Sequence, residues 1–441
     1  MPTTRDSNGA LYLGGVSLLD VVRDPSAPRP TTPAYVYDLD AMAAEARALR
    51  AGFDGAPHLV AYALKANTAG AVVRALAAQG CGADLVSGAE LAVALQCGVA
   101  PDDIIYNGVA KTDAEIDQAI ATGPRGIGAI QLESVEEIAR VEGRARAAGR
   151  RARVGVRVNP SLDMDGATHA HIATGHDRAK FGVPRPDVGR AVQLCEASAH
   201  LELVGMGAHV GSHFKSTGPY VESAEVLFSI VSALRGEGRL RSLAFVDTGG
   251  GFGVDYGESA LPVGGETRDA VPPPPAFVRA ARVAQRRAKL DDLALYVEPG
   301  RCLVAAHGVL LARVTQVKVA GDTRWLMIDA GMNDLIRPAL YQARHRVVPL
   351  QAAPTNEAPI PWRVVGPVCE SSDDFGEHAL PPAPGEYVAI LDAGAYGYTM
   401  ASVYNGRQLP VEVFLAGGRV AARTERVPIE RWVAERLRAG R

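Results

Sequence analysis

Between residues 40 and 302 the chain repeats one rhythm eight times. Short β-rich apolar runs alternate with longer segments of helical period. The runs are "HLVAYALKAN", "GADLVSGAE", "DIIYNGVAK", "IGAIQLES", "RARVGVRVNP", "LVGMGAHVGS", "LAFVDTGGGFG" and "LALYVEPGR". Between them, segments such as "SVEEIARVEGRARAAG" and "ESAEVLFSIVSALRGEGR" space their apolar residues by three and four. Several open on Ser, Thr or Asp and close on Gly, as capped helices do. Eight strands alternating with helices is the sequence form of a (β/α)8 barrel. A doubly wound open sheet is the rival arrangement, and the count of eight favours the barrel.

Beyond residue 302 the rhythm changes. "GVLLARVTQVKVAG", "TRWLMIDAG", "RVVGPVCES", "GEYVAILDAG" and "VEVFLAGGRVAAR" are β-like, with no long helix between them. They predict an all-β domain over 303–441. The opening "ALYLGGVSLLDVV" and "PAYVYDLD" are also β-like, so residues 1–39 are expected to join it, leaving 40–302 as the barrel. "DAVPPPPAF" and "PLQAAPTNEAPIPW" read as exposed loops.

A chain of 441 residues, 47% hydrophobic, with a net charge of −3, can bury a large core and carries no charge excess that would select a nucleic acid. Its cysteines, Cys81, Cys97, Cys195, Cys302 and Cys369, are odd in number and form no CxxC pair. That pattern argues for a reducing compartment and against a disulfide framework. The N-terminus lacks a signal-peptide core, and no apolar run is long enough for a membrane span. A soluble cytoplasmic protein is expected.

In a (β/α)8 barrel the active site lies at the C-terminal ends of the strands. The first run ends on Lys65, and the second is followed by Ser87 and Glu90. The fifth ends on Arg157 and Asn159, and the sixth on His209, Ser212 and His213. The seventh ends "DTGGGFG" and the eighth "EPGR", with Glu298 and Arg301. A lone lysine at a strand end usually just reaches water while its stem packs. In this company it gains a chemical sense. A desolvated lysine amine condenses with an aldehyde. A glycine run offers backbone N–H groups to a phosphate. Glu298 is placed to keep a pyridine nitrogen protonated, and His209 to stack on a ring. Together these describe a pyridoxal phosphate site. His169, His171 and His176 invite a metal reading, but their spacing fits no standard site, and no metal is expected.

The motifs resemble the alanine-racemase-like, fold-type III pyridoxal phosphate enzymes, and within them the diaminopimelate decarboxylase family. The resemblance runs through "YALKAN", "DLVSGAEL", "THAHIATGHDRAKFGV", "GAHVGS", "DTGGGFG", "EPGR", "GMNDLIRPALY", "GPVCESSD" and "GAYGYTMASVYNGR", in that family's order. It implies a barrel followed by a β-domain and pyridoxal 5'-phosphate as cofactor. It further implies decarboxylation of meso-2,6-diaminopimelate to L-lysine. Carried over, Lys65 is the Schiff-base lysine and His209 lies against the ring. Ser212, Gly250, Gly251, Glu298, Gly300, Arg301 and Tyr396 hold the cofactor. Arg301, Arg337, Tyr341, Glu370 and Tyr396 bind the amino acid substrate, and Cys369 is the proton donor. Cys369 and Glu370 are implied to act across the interface of a homodimer with a shared active site.

The chain departs from that pattern twice. His213 stands where the family usually has glutamine, and Ser372-Asp373 where it commonly has Gly-Asp. Both bear on the substrate end. The alternatives are a decarboxylase of the same fold acting on ornithine, arginine, carboxynorspermidine or a carrier-bound amino acid, or a non-enzymatic pyridoxal phosphate protein. A racemase would need a second catalytic base, commonly tyrosine, where this chain has the cysteine segment.

Overall fold

The computed structural model describes residues 3–27, 29–162, 179–257, 271–352 and 357–438. It divides into two compact units, Ala43–Asp255 with Asp269–Leu303, and Met1–Met42 with Tyr256–Arg268 and Val304–Arg441. His169, His171 and His176, and most of "THAHIATGHDRAKFGV", lie outside the described residues.

The first unit is the barrel. Its strands are His58–Ala63, Gly82–Leu85, Ile104–Tyr106, Ala129–Leu132, Ala152–Asn159, Leu201–Ala208, Phe245–Asp247 and Ala294–Val297, one from each run above. All pair in parallel, and Val297 opposite Val60 joins the eighth strand to the first. In such a barrel helices cover one face of the sheet and side chains fill the other, so the strands read as apolar runs rather than alternating ones, with most polar side chains near their ends. Leu59, Ala61, Ile105, Ala129, Val204 and Phe245 pack inside, where the Phe245 and Tyr296 rings stack 4.1 Å apart. With the interior filled, what remains accessible is the rim at the strands' C-terminal ends.

Local sequence starts the helices. The Ser87 hydroxyl accepts from the Glu90 N–H at 3.2 Å, and Thr112 and Glu115 form a reciprocal capping box ahead of Asp113–Ala121. Ser134 caps Val135–Ala147 in the same way. Such a cap stabilises by about 1 kcal/mol and fixes where the strand's exit loop ends.

The second unit is a mainly β domain. Its central strand is Ala34–Asp38, which pairs antiparallel with Gly308–Ala320 and parallel with Val411–Ala416. The N-terminal segment is therefore an inner strand of a nine-stranded sheet built otherwise from the C-terminal region. Leu13, Val36, Leu311, Val413 and Leu415 form its core. "VSLLDVV", expected to be β-like, is a strand only over Val16–Ser17, and Leu18–Arg23 is helical. The Ser17 hydroxyl accepts from the Asp20 N–H at 3.3 Å, and Asp20 and Arg23 match the helix ends in charge. That capping outweighs the β propensity of two valines.

Candidate active site

The exits of the barrel strands are stitched to one another. The Ala63 N–H donates to the Pro299 carbonyl at 3.0 Å, so the turn carrying Lys65 is fixed to the "EPGR" turn. The Glu298 N–H donates to the Gly249 carbonyl at 2.9 Å, and the Phe214 N–H to the Gly251 carbonyl at 2.9 Å. Two glycines permit this closeness. A Cβ on Gly250 would strike the Glu298 carbonyl, and one on Gly300 would press on Ala63 and Ala66, on either side of the lysine turn. The turns after strands one, six, seven and eight thus form one continuous rim.

On that rim Lys65, with 39% of its side-chain surface exposed, places Nζ 2.6 Å from Oδ2 of the fully buried Asp84. Oδ1 of Asp84 accepts from Asn107 Nδ2 at 2.8 Å, and the same nitrogen donates to Glu298 Oε1. A small cavity beside this chain is lined by Asn107, Gln131, Arg157, His209, Asp247 and Glu298. Arg157 is held there by Glu133, 2.8 Å from its guanidinium. Glu133 also accepts from the Gly108 and Gly182 N–H groups.

Burial, then the Asp247 and Asp84 carboxylates, push Glu298 well above the usual carboxylate range. Burial likewise raises Asp247, although the Gly249 N–H opposes it at 2.8 Å. His209 moves the other way. Burial, then Arg157 and Lys65, hold its imidazole well below its ordinary value, so it is neutral. The Gly250 N–H donates to its Nδ1 at 3.1 Å, which leaves the ring proton on Nε2.

Ser212 accepts from Arg301 at 3.0 Å on the same rim. The N–H groups of Gly249 and Gly250 are spent on Asp247 and His209. In the second unit, Arg337 is buried, 2.8 Å from His345 Nε2, with its guanidinium 4.8 Å over the Tyr256 ring. Arg337 and Tyr341 begin and end one short helix, and Tyr396 has φ +55°. Cys369 and Glu370 are exposed on a turn bound to the "VYNGR" turn. The Cys369 N–H donates to Asn405 at 2.9 Å, and Tyr404 to Glu370. Asp373 braces the base of that turn, accepting the Val368 and Met332 N–H groups at 2.6 Å each.

The sequence reading passed over Asp84, Asn107 and Asp247. Each lies at or just beyond the C-terminal end of a barrel strand, as Lys65 and Glu298 do, and that shared position is the signal the sequence offers.

A family model for the pyridoxal-dependent decarboxylases, covering their pyridoxal-binding domain, matches residues 39–305. A barrel of this kind with a lysine and a buried carboxylate at its rim defines a class of pyridoxal phosphate enzymes, and the chain belongs to the pyridoxal-dependent decarboxylase family. Among its relatives, the diaminopimelate decarboxylase of Zymomonas mobilis is 36% identical, over 96% of each chain. The crystal structure of diaminopimelate decarboxylase from Helicobacter pylori complexed with L-lysine superposes with a TM-score of 0.81 at 34% identity, over 92% of this chain and 97% of that one. The one from M. jannaschii in co-complex with L-lysine gives 0.87 at 31%, over 98% and 97%.

The rim residues fit this family's cofactor. Three buried carboxyls, Asp84, Asp247 and Glu298, meet there, and of the two neighbouring cations Arg157 is already paired with Glu133. Asp247 Oδ2 and Gln131 Oε1 are buried without a hydrogen-bond partner. Such a surplus of acceptors suits a protonated aromatic nitrogen, and a neutral His209 does not repel a cationic ring.

The surplus carries a stability cost. Carboxyls raised in the fold bind more protons folded than unfolded. Stability is full below the ordinary carboxylate range, about 4, and is lost as pH rises through the raised values. Asp247→Asn keeps an acceptor oxygen for Gly249 and removes one buried charge. The expected result, by thermal melting of the cofactor-free protein, is a Tm several degrees higher at neutral pH and a flatter decline between pH about 4 and about 6. A lower Tm at every pH would show that this charge is not a liability.

Proposed function

We propose that the chain is a carboxy-lyase that converts meso-2,6-diaminopimelate to L-lysine and CO2 with pyridoxal 5'-phosphate. The observation that carries this reading is near-full-length similarity to diaminopimelate decarboxylases, joined to a rim that sets an accessible lysine beside three carboxyls. Bound pyridoxal phosphate supplies an electron sink for the pair left when CO2 departs.

The protein's part is to bind, orient and manage protons. Lys65, placed by Asp84, would supply the amine that holds the cofactor through its aldehyde carbon. Glu298 would hold a proton at the ring nitrogen, and neutral His209 would lie against the ring. Arg301 with Ser212, and the backbone at Gly251 and Gly300, are assigned to the phosphate side, with Tyr396, whereas the Gly250 N–H is used in orienting His209. Arg337 and Tyr341 take a substrate carboxylate, which a planar guanidinium holds by two parallel hydrogen bonds. Glu370 takes the far ammonium. The bond from the substrate carbon to its carboxylate breaks, the electron pair stays on carbon, and Cys369 returns a proton there.

The assembly we infer is a homodimer in which Cys369 and Glu370 serve the partner's site. Refolding a mixture of Lys65→Ala and Cys369→Ala chains tests it. One site of each mixed dimer then carries both substitutions and the other neither. Random pairing makes half the dimers mixed, so activity should return to about a quarter of wild type. No recovery, with mixed dimers demonstrated, would mean that each chain builds its own site.

Among the described residues no helix is long and apolar enough to cross a membrane, and all five cysteines are free thiols. The thiols support a cytoplasmic setting. Expression in a bacterium lacking its own diaminopimelate decarboxylase should restore growth without lysine. Failure, with soluble cofactor-loaded protein present, would count against the substrate.

A further inference from the structure

Asn107 follows the third barrel strand, and its N–H donates to the Leu85 carbonyl at 2.9 Å, which anchors it against strand two. Its side chain is buried and lies between two carboxyls far apart in sequence. Nδ2 donates to Asp84 Oδ1 at 2.8 Å and to Glu298 Oε1. An amide nitrogen carries two hydrogens and accepts nothing, whereas an ionised carboxylate only accepts. Lys65 lies 2.6 Å from the other oxygen of the Asp84 carboxylate, and the amide turns its nitrogen, not its oxygen, to this acceptor. Both hydrogens are thereby used, one on each carboxyl.

We infer that Asn107 is a positioning residue for the cofactor: its single amide nitrogen ties Asp84, the counter-ion of Lys65, to Glu298 in one hydrogen-bonded chain, so that a change at the lysine is felt at the ring-nitrogen carboxyl. The inference rests on the reading of Glu298 given above. The family likeness and the sequence motifs assign Asn107 nothing, and it takes no part in the steps just described.

No other small side chain does the same work. Aspartate would add a fourth carboxyl to the three already there. Leucine would leave Asp84 Oδ1 and Glu298 Oε1 buried without a donor. A hydroxyl has one hydrogen and serves one carboxyl only. The amide also commits Glu298 Oε1 as an acceptor, so any proton on that carboxyl sits on Oε2. The titratable groups around it are Lys65, Asp84, Arg157, His209, Asp247 and Glu298.

The sign of the effect follows. Without the amide's hydrogens both carboxyls lose a donor, and Asp84 loses the contact that holds its side chain in place beside Lys65. A carboxylate no longer fixed there stabilises positive charge on the Lys65 nitrogen less. The covalent link between that nitrogen and the cofactor should then lose its proton at lower pH.

The test is a pH titration of the bound cofactor's visible absorbance in four holoenzymes: wild type, Asn107→Leu, Glu298→Gln and the double variant. Cofactor dissociation constants and steady-state kinetics are measured beside it. Asn107→Leu should lower the titration midpoint by about one pH unit or more, the size of effect a buried charge partner has. It should lower kcat with KM nearly unchanged. Adding Asn107→Leu to Glu298→Gln should weaken cofactor affinity less than it does in the wild-type background, since contacts in one network are not additive. A wild-type midpoint in folded Asn107→Leu overturns the inference, as does full additivity. Should the leucine variant not fold, Asn107→Thr, smaller and with one hydroxyl donor, should give an intermediate shift; a wild-type midpoint there overturns it equally. Failure of the underlying reading looks different: Glu298→Gln would then leave turnover intact while Asn107→Leu still moves the midpoint through Asp84.

Discussion

Lys65→Ala is expected to lose turnover by several powers of ten, together with the visible absorbance and borohydride trapping of the cofactor. Lys111 is the rival, also following a barrel strand, but its Nζ is buried against the Gly108 and Gln131 carbonyls at 2.7 Å each and Glu137 at 3.1 Å. It is held inward by all three. Lys65 instead lies beside the Asp84 carboxylate with a partly exposed side chain. Non-covalent contacts through Arg301 and Glu298 should keep some cofactor bound in the variant, so the loss is one of chemistry and not only of binding. Trapping that persists in Lys65→Ala and maps to Lys111 would reassign the lysine.

Glu298→Gln is expected to retain cofactor and lose about a hundredfold or more in kcat, the scale of a misplaced catalytic proton. The direction comes from its neighbours. Asn107 presents only hydrogens to this position, so the substituted amide must turn its oxygen toward Asn107. Its NH2 then faces the ring nitrogen, where a protonated nitrogen would meet donor with donor. The ring is left neutral, and the electron sink weakens. Near-normal kcat in a folded, cofactor-loaded variant would place the proton under another group's control.

The barrel was legible because its physics is local and repeated. Eight apolar runs, caps such as Ser87, Thr112 and Ser134, and turns such as "EPGR" each declare themselves within a few residues. Lys65, His209 and Glu298 stood out because charged or aromatic polar groups at the ends of apolar runs are conspicuous. Asp84, Asn107 and Asp247 did not. Each is a small polar residue of the sort that ends any strand or starts any turn. Their meaning lies in contacts across 23 and 191 residues, which exist only once the sheet closes. The Leu18–Arg23 helix was missed for the opposite reason: a single serine cap and two charges decide it against its own valines. The Cys369 turn shows a further limit. The chemistry proposed for it would be exerted on a partner chain, and no local pattern carries that.

The decisive measurement is CO2 release by purified, cofactor-loaded protein offered the diaminopimelate stereoisomers, ornithine, arginine, lysine and glutamate at matched concentrations. The account predicts that meso-2,6-diaminopimelate is turned over with the highest kcat/KM and yields L-lysine in step with CO2. Faster release from ornithine or arginine, or CO2 from none of these with the cofactor bound through Lys65, would contradict it.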